Sequence, residues 1–106
     1  MYDSQKHEPT PDMPTHFNKL TPAEAERLAM LAEEAAEVIQ IVGKILRHGF
    51  ESYHPDNPGN TNRDLLADEV CDFLAIVEMM GADFDVAGGI EPHHAIAKKL
   101  RYAHHQ

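Results

Sequence analysis

Two five-residue acidic stretches, Glu33-Glu34-Ala35-Ala36-Glu37 and Asp68-Glu69-Val70-Cys71-Asp72, stand thirty-five residues apart in this chain. On a helix, residues three and four apart share a face. Glu34 therefore falls among Met30, Leu31, Val38, Ile41 and Ile45, and Glu69 among Leu65, Leu66, Phe73, Ile76 and Met80. Glu37 and Asp72 lie at the edges of the same apolar arcs, so two helices packed by those arcs bring four carboxylates together. A carboxylate taken out of water is costly unless it is paired or bound to metal, and crowded like charges raise one another's pKa. A divalent cation relieves both problems, so the pattern points to a metal centre.

The elements that must position these acids are legible nearby. Residues 1 to about 20 are polar and carry Pro9, Pro11 and Pro14 without periodicity, which reads as an arm with little structure of its own. Thr21, Pro22 and Glu24 form a helix start signal with a capping box, and the helical pattern runs to about His48, where Gly49 supplies a stop. Its apolar stripe is broad: Leu28, Leu31, Ala35, Val38, Ile39, Val42, Ile45 and Leu46, wide enough to face more than one neighbour. Phe50 to Asn60 has turn chemistry throughout, and Thr61 or Asn62 then caps a second helix expected to reach Met80 and stop at Gly81. Gly88, Gly89 and Pro92 punctuate a short connection, and Pro92 to His104 is helix-compatible with a basic end. No β-alternation occurs, so the fold class is all-α, with residues 21–106 as a single domain.

At 106 residues the chain has room for one modest core, which makes completion by oligomerisation an expected aid to stability. A formal net charge of −9 argues against nucleic-acid or anionic-membrane binding, both of which reward basic surfaces. No apolar run is long enough for a membrane span and no secretory leader is evident, so a cytoplasmic protein is expected. The one cysteine, Cys71, cannot form an internal disulfide and reads as a small core residue beside the acidic face.

With those residues in view, the chain resembles the MazG-like, all-α nucleoside triphosphate pyrophosphohydrolases, whose hallmark is Glu-Glu-x-x-Glu on one helix and Glu-x-x-Asp on the next. The matching residues are Glu33, Glu34 and Glu37, then Glu69 and Asp72. Leu31-Ala32 leading into the first motif, Asp72-Phe73-Leu74 leaving the second and the basic stretch Ile96 to Tyr102 are similar to the family as well. The likeness covers about residues 21 to 103. The interval between Glu37 and Glu69 is longer than in many members, and the C-terminal basic stretch matches incompletely.

The resemblance implies a helical-bundle protomer assembled as a homodimer or homotetramer. It further implies Mg²⁺, with Mn²⁺ as an alternative, held by Glu34, Glu37, Glu69 and Asp72, and cleavage of a (d)NTP or modified nucleotide between the α and β phosphates to a monophosphate and pyrophosphate. The bland reading, a solvated acidic helix face, fits poorly because Glu34 and Glu69 lie within apolar arcs. Glu33 and Asp68, farther from the arcs, read equally as solvent-facing groups or as functional ones, either taking a proton from the attacking water or holding a second metal. For the phosphates, Lys44, Arg47, His48 and Arg63 are candidates near the acids, and Lys98, Lys99 and Arg101 form a basic cluster; compensation of a helix dipole is the rival explanation for Lys44, Arg47 and the C-terminal group. Phe50, Tyr53, His54 and Asn57 read first as loop anchors and second as contacts to a base. The His93-His94 and His104-His105 pairs suggest only incidental metal affinity, since adjacent side chains on a helix diverge. Within the same enzyme class, phosphoribosyl-ATP pyrophosphohydrolase is the alternative, and the long loop after Gly49 weighs against it. A di-iron bundle is disfavoured because neither acidic helix adds a Glu-x-x-His. A non-catalytic helical interaction or regulatory module is the reading outside enzymology.

Overall fold

Thr21 and Thr61 each begin a long helix in the same way. In the computed structural model, which describes residues 18–86 and 91–106, α1 (Pro22–His48) opens on a reciprocal capping box. Thr21 Oγ1 accepts from the Glu24 N–H at 3.1 Å, and Glu24 Oε1 accepts from the Thr21 N–H at 2.7 Å. The second helix, α2 (Asn62–Ala82), has the same device, with Thr61 as cap and Asp64 as its partner. Each box satisfies two N–H groups that a helix start otherwise leaves unpaired. A short α3 (His93–Tyr102) follows. Among the described residues the chain is all-α. Most of the expected N-terminal arm and the Gly88-Gly89 connection lie outside the described residues.

The α1–α2 loop folds back tightly. Gly49 has φ 88°, a left-handed conformation that glycine adopts without a Cβ penalty, and its N–H donates to Ile45 O at 2.7 Å. The N–H groups of Asn62 and Arg63 then donate to Ser52 O and Phe50 O at 2.8 and 2.9 Å, and Asn62 Nδ2 donates to Gly49 O. A single antiparallel bridge joins Tyr53 to Thr61 within what the sequence marks as loop. The buried Asn62 thus ties the end of α1 to the start of α2, and since Arg27 near the start of α1 pairs with Asp83 and Asp85 just past the end of α2, the two helices run antiparallel.

One boundary differs from expectation. Helix α2 continues through Gly81 to Ala82. The left-handed residue is Phe84, at φ 61°, with the Asp85 N–H donating back to Met80 O at 2.9 Å. The reversal at this point is anchored by tertiary contacts. Arg27, 4 % exposed, grips Asp85 through Nε and Nη2 at 2.5 and 2.9 Å and faces Asp83 Oδ2 across 3.5 Å. The forked guanidinium clamps the α2 end against the first turns of α1.

Helix α1 carries two apolar stripes, each spaced alternately by four and three residues. The line Arg27, Leu31, Glu34, Val38, Ile41, Ile45 is buried or half-buried and packs on α2, where Leu65, Leu66, Glu69, Phe73, Ile76 and Met80 answer it. Only Ile41, Ile76 and Met80 are buried apolar residues among those described. The second line, one residue later, contains Leu28, Ile39, Val42 and Leu46, all exposed; Ile39 and Leu46 are 70 % and 82 % exposed. A protomer that leaves this much aliphatic surface in water has an incomplete core. Cys71 is exposed, which corrects its reading as a core residue. It sits two positions after Glu69, on the turn facing away from α1, where the 100° step per residue carries it out of the interface.

Candidate functional site

Glu34 lies on the buried line of α1 with Glu37 one turn later at its exposed edge, and Glu69 and Asp72 repeat that arrangement on α2. Antiparallel packing brings the two pairs face to face. One carboxylate oxygen from each of the four residues lies within 4.8 Å of the other three. Glu34 and Glu69 are half-buried, while Glu37 and Asp72 are exposed at the rim. Oε2 of Glu34 and Oε2 of Glu69 are both buried without a hydrogen-bond partner. None of the ion pairs among the described residues involves these four acids.

Electrostatics follow from that geometry. Removal from water pushes the Glu34 carboxyl above the usual carboxylate range, and the charges of Glu37 and Asp72, a hydrogen bond to Glu37 and the charge of Glu33 push it further. Glu69 is pushed up to about 7, first by a hydrogen bond shared with Glu37, then by desolvation and by the charges of Glu37, Asp72 and Glu34. Two desolvated acceptors with raised affinity for protons are groups waiting for a positive charge.

The donor set fits a hard divalent cation. Oxygen ligands alone, several of them anionic, are what Mg²⁺, Mn²⁺ and Ca²⁺ take, and soft metals prefer sulfur or imidazole. Opposite ligands of a Mg²⁺ octahedron stand roughly 4.2 Å apart, so a span of 4.8 Å closes on such an ion by small side-chain rotations. The two buried carboxylate oxygens without a partner, Oε2 of Glu34 and Oε2 of Glu69, are the atoms such an ion would satisfy.

The remaining sequence candidates distribute differently. Glu33 and Asp68 are exposed, outside the group of four. Arg63 is engaged elsewhere: its Nε donates to Glu51 at 2.7 Å and its guanidinium carbon stands 4.4 Å from the centre of the Phe50 ring. Lys98, Lys99 and Arg101 stand exposed on α3 and make no ion pair with the four acids among the described residues. Lys44 lies in the wall of a cavity of about 330 Å³ at the α1–α2 turn, together with Arg47, His48, Tyr53 and His54. The sequence does not single out this cavity, because its walls come from two helix ends and a loop that meet only through Asn62. The Arg27–Asp83–Asp85 cluster is also new, although Arg27 does lie seven residues before Glu34 on the same buried line.

No protein-family model matches the chain, and neither a curated protein nor a solved structure matches it.

Proposed function

We propose that this chain is a Mg²⁺-dependent nucleotide pyrophosphohydrolase of the MazG-like type, cleaving a (d)NTP or modified nucleotide between the α and β phosphates. The observation that carries the reading is the buried, unpartnered oxygen on each of Glu34 and Glu69, within a group of four carboxylates, completed by Glu37 and Asp72, that each bring one oxygen within 4.8 Å of the others. A structural acidic patch has no reason to bury two carboxylate oxygens without partners, whereas a cation-binding site does.

In this reading Glu34, Glu37, Glu69 and Asp72 hold Mg²⁺ or Mn²⁺. When bound, the ion neutralises phosphate charge and lowers the pKa of a water. The half-buried Glu34 and Glu69 would set the depth at which the ion is held, and the exposed rim acids Glu37 and Asp72 leave a side open for substrate to enter. Glu33, one turn before Glu37 and exposed to solvent, takes the proton from the attacking water and passes it to bulk. Lys44, Arg63, Lys98, Lys99 and Arg101 remain the cationic candidates for phosphate contact; Arg63 must first release Glu51 to serve.

The exposed Leu28–Ile39–Val42–Leu46 stripe is covered by a second copy of the chain, giving a homodimer or a tetramer of such pairs. A stripe with the same four-and-three spacing as the one buried in the protomer is suited to antiparallel helix packing about a two-fold axis.

The test is pyrophosphate release from a panel of canonical and modified (d)NTPs with Mg²⁺ or Mn²⁺, run beside Glu34→Gln and Glu69→Gln. Cation-dependent monophosphate and pyrophosphate formation, lost in both variants, supports the reading. Turnover kept in both variants sinks the metal site, and silence across the panel turns the reading to a non-catalytic helical module.

A further inference from the structure

Lys44 and Arg47 sit one turn apart at the end of α1, and neither makes an ion pair among the described residues. The chain has 18 Asp and Glu against 9 Lys and Arg, so two unpaired cations side by side depart from the general character of its surface. They line the 330 Å³ cavity together with His48, Ser52, Tyr53, His54, Pro55, Asn62 and Leu65, and no carboxylate lines it. Asp56, whose carboxylate stands 3.6 Å from His54 Nδ1, is exposed and outside the lining.

The cavity is a built feature. Asn62 is buried and bonded to Gly49 O, its N–H donates to Ser52 O, and the Tyr53–Thr61 bridge closes the loop behind it. His54 Nδ1 accepts from the Asp56 N–H at 3.1 Å, so the neutral ring carries its hydrogen on Nε2, a donor. The donors therefore include an ammonium, a guanidinium, a ring N–H and the Ser52 hydroxyl, beside the ring of Tyr53. That is a set for an anion of several oxygens attached to a flat or sugar-like body.

Position along the helices separates this cavity from the metal centre. At 1.5 Å rise per residue, Lys44 and Arg47 lie roughly 10 and 15 Å beyond Glu37 along α1. Leu65 and Asn62 lie roughly 6 and 10 Å before Glu69 along α2. The phosphate chain being cleaved must lie on a cation among the acids, so it is not the anion that the cavity awaits. We propose that the cavity is a phosphate subsite for the far end of the nucleotide, taking a phosphate monoester carried on the sugar or base away from the cleaved anhydride. The substrate class is then a nucleotide phosphorylated at both ends. This rests on the pyrophosphohydrolase reading for its link to turnover, while the binding itself does not.

The test uses the full chain, ¹⁵N-labelled and metal-free, titrated separately with inorganic phosphate, adenosine 3′,5′-bisphosphate and adenosine while amide shifts are followed. The expected result is that both phosphate-bearing probes move the amides of Arg47, His48, Ser52 and His54, with the bisphosphate binding more tightly. Adenosine leaves those amides in place. In K44Q/R47Q the bisphosphate affinity falls by roughly tenfold or more, the effect expected for lost charge-assisted hydrogen bonds. Both side chains are exposed, so the variant keeps its fold, and the mapping on the unaltered chain stands by itself if it does not. Adenosine binding as well as the bisphosphate would make the cavity a base pocket and overturn the subsite. So would shifts confined to other regions, or inorganic phosphate binding as tightly as the bisphosphate. Cavity binding without nucleotide turnover removes the proposed reaction and leaves the subsite; turnover without cavity binding does the reverse.

Discussion

Glu34 and Glu69 are the residues on which folding and the proposed chemistry oppose each other. Replacing either by Gln keeps the shape and removes a crowded charge. The metal-free melting temperature should therefore rise in both variants, while the further rise produced by Mg²⁺ or Mn²⁺ should shrink or vanish. Thermal unfolding with chelator and with saturating cation measures both, and an undiminished cation-induced rise would count against the site. The pH dependence has a definite sign. Both carboxyls have folded-state pKa values above the ordinary 4.5, Glu69 reaching about 7, so the folded chain holds protons that the unfolded chain has released. That stability is fully present below 4.5 and is lost as pH rises through about 7. The metal-free chain should melt progressively lower across this window, and saturating cation should flatten or reverse the trend. A metal-free melting temperature independent of pH there would contradict the crowding of these acids. At this scale the sequence was informative: acids within apolar arcs were visible from spacing alone. Arg27 was not recognisable as a clamp, because its partners lie 56 and 58 residues away, in a turn whose path the local pattern does not determine.

Among the elements, α1 and α2 were readable because their start signals and stripes are local. The C-terminal end of α2 was not: a glycine at 81 reads as a stop, yet the helix ends one residue later, at a turn gripped by Arg27. Arg27→Met should remove that grip and leave the buried Asp85 carboxylate without its guanidinium, costing roughly 3–5 kcal/mol. Urea unfolding checks this by a lower midpoint at similar slope. A shift within error would mean that the clamp has no role in holding α2 on α1.

For the whole molecule, the decisive feature is how little one protomer buries. Ile39→Glu and Leu46→Glu place a charge on the exposed stripe without touching the α1–α2 contact. If a second copy covers that stripe, each variant should run as a monomer in sedimentation or light scattering where the parent chain runs as a dimer or tetramer, with a lower melting temperature. A parent chain that is monomeric at micromolar concentration would remove the proposed assembly.

The sequence by itself determined the all-α class, both capped helices, the loop between them and the membership of the acidic group. All of these follow from periodicity and capping chemistry acting within a few residues. Only the tertiary structure decided that four carboxylates converge within 4.8 Å with two oxygens stranded, that Cys71 faces outward and that Lys44 and Arg47 border a cavity. These depend on the rotation of one helix against the other and on the path of a loop tied down by Asn62. Helical periodicity specifies which residues share a face, but the packing of the facing side chains selects the face's partner and depth.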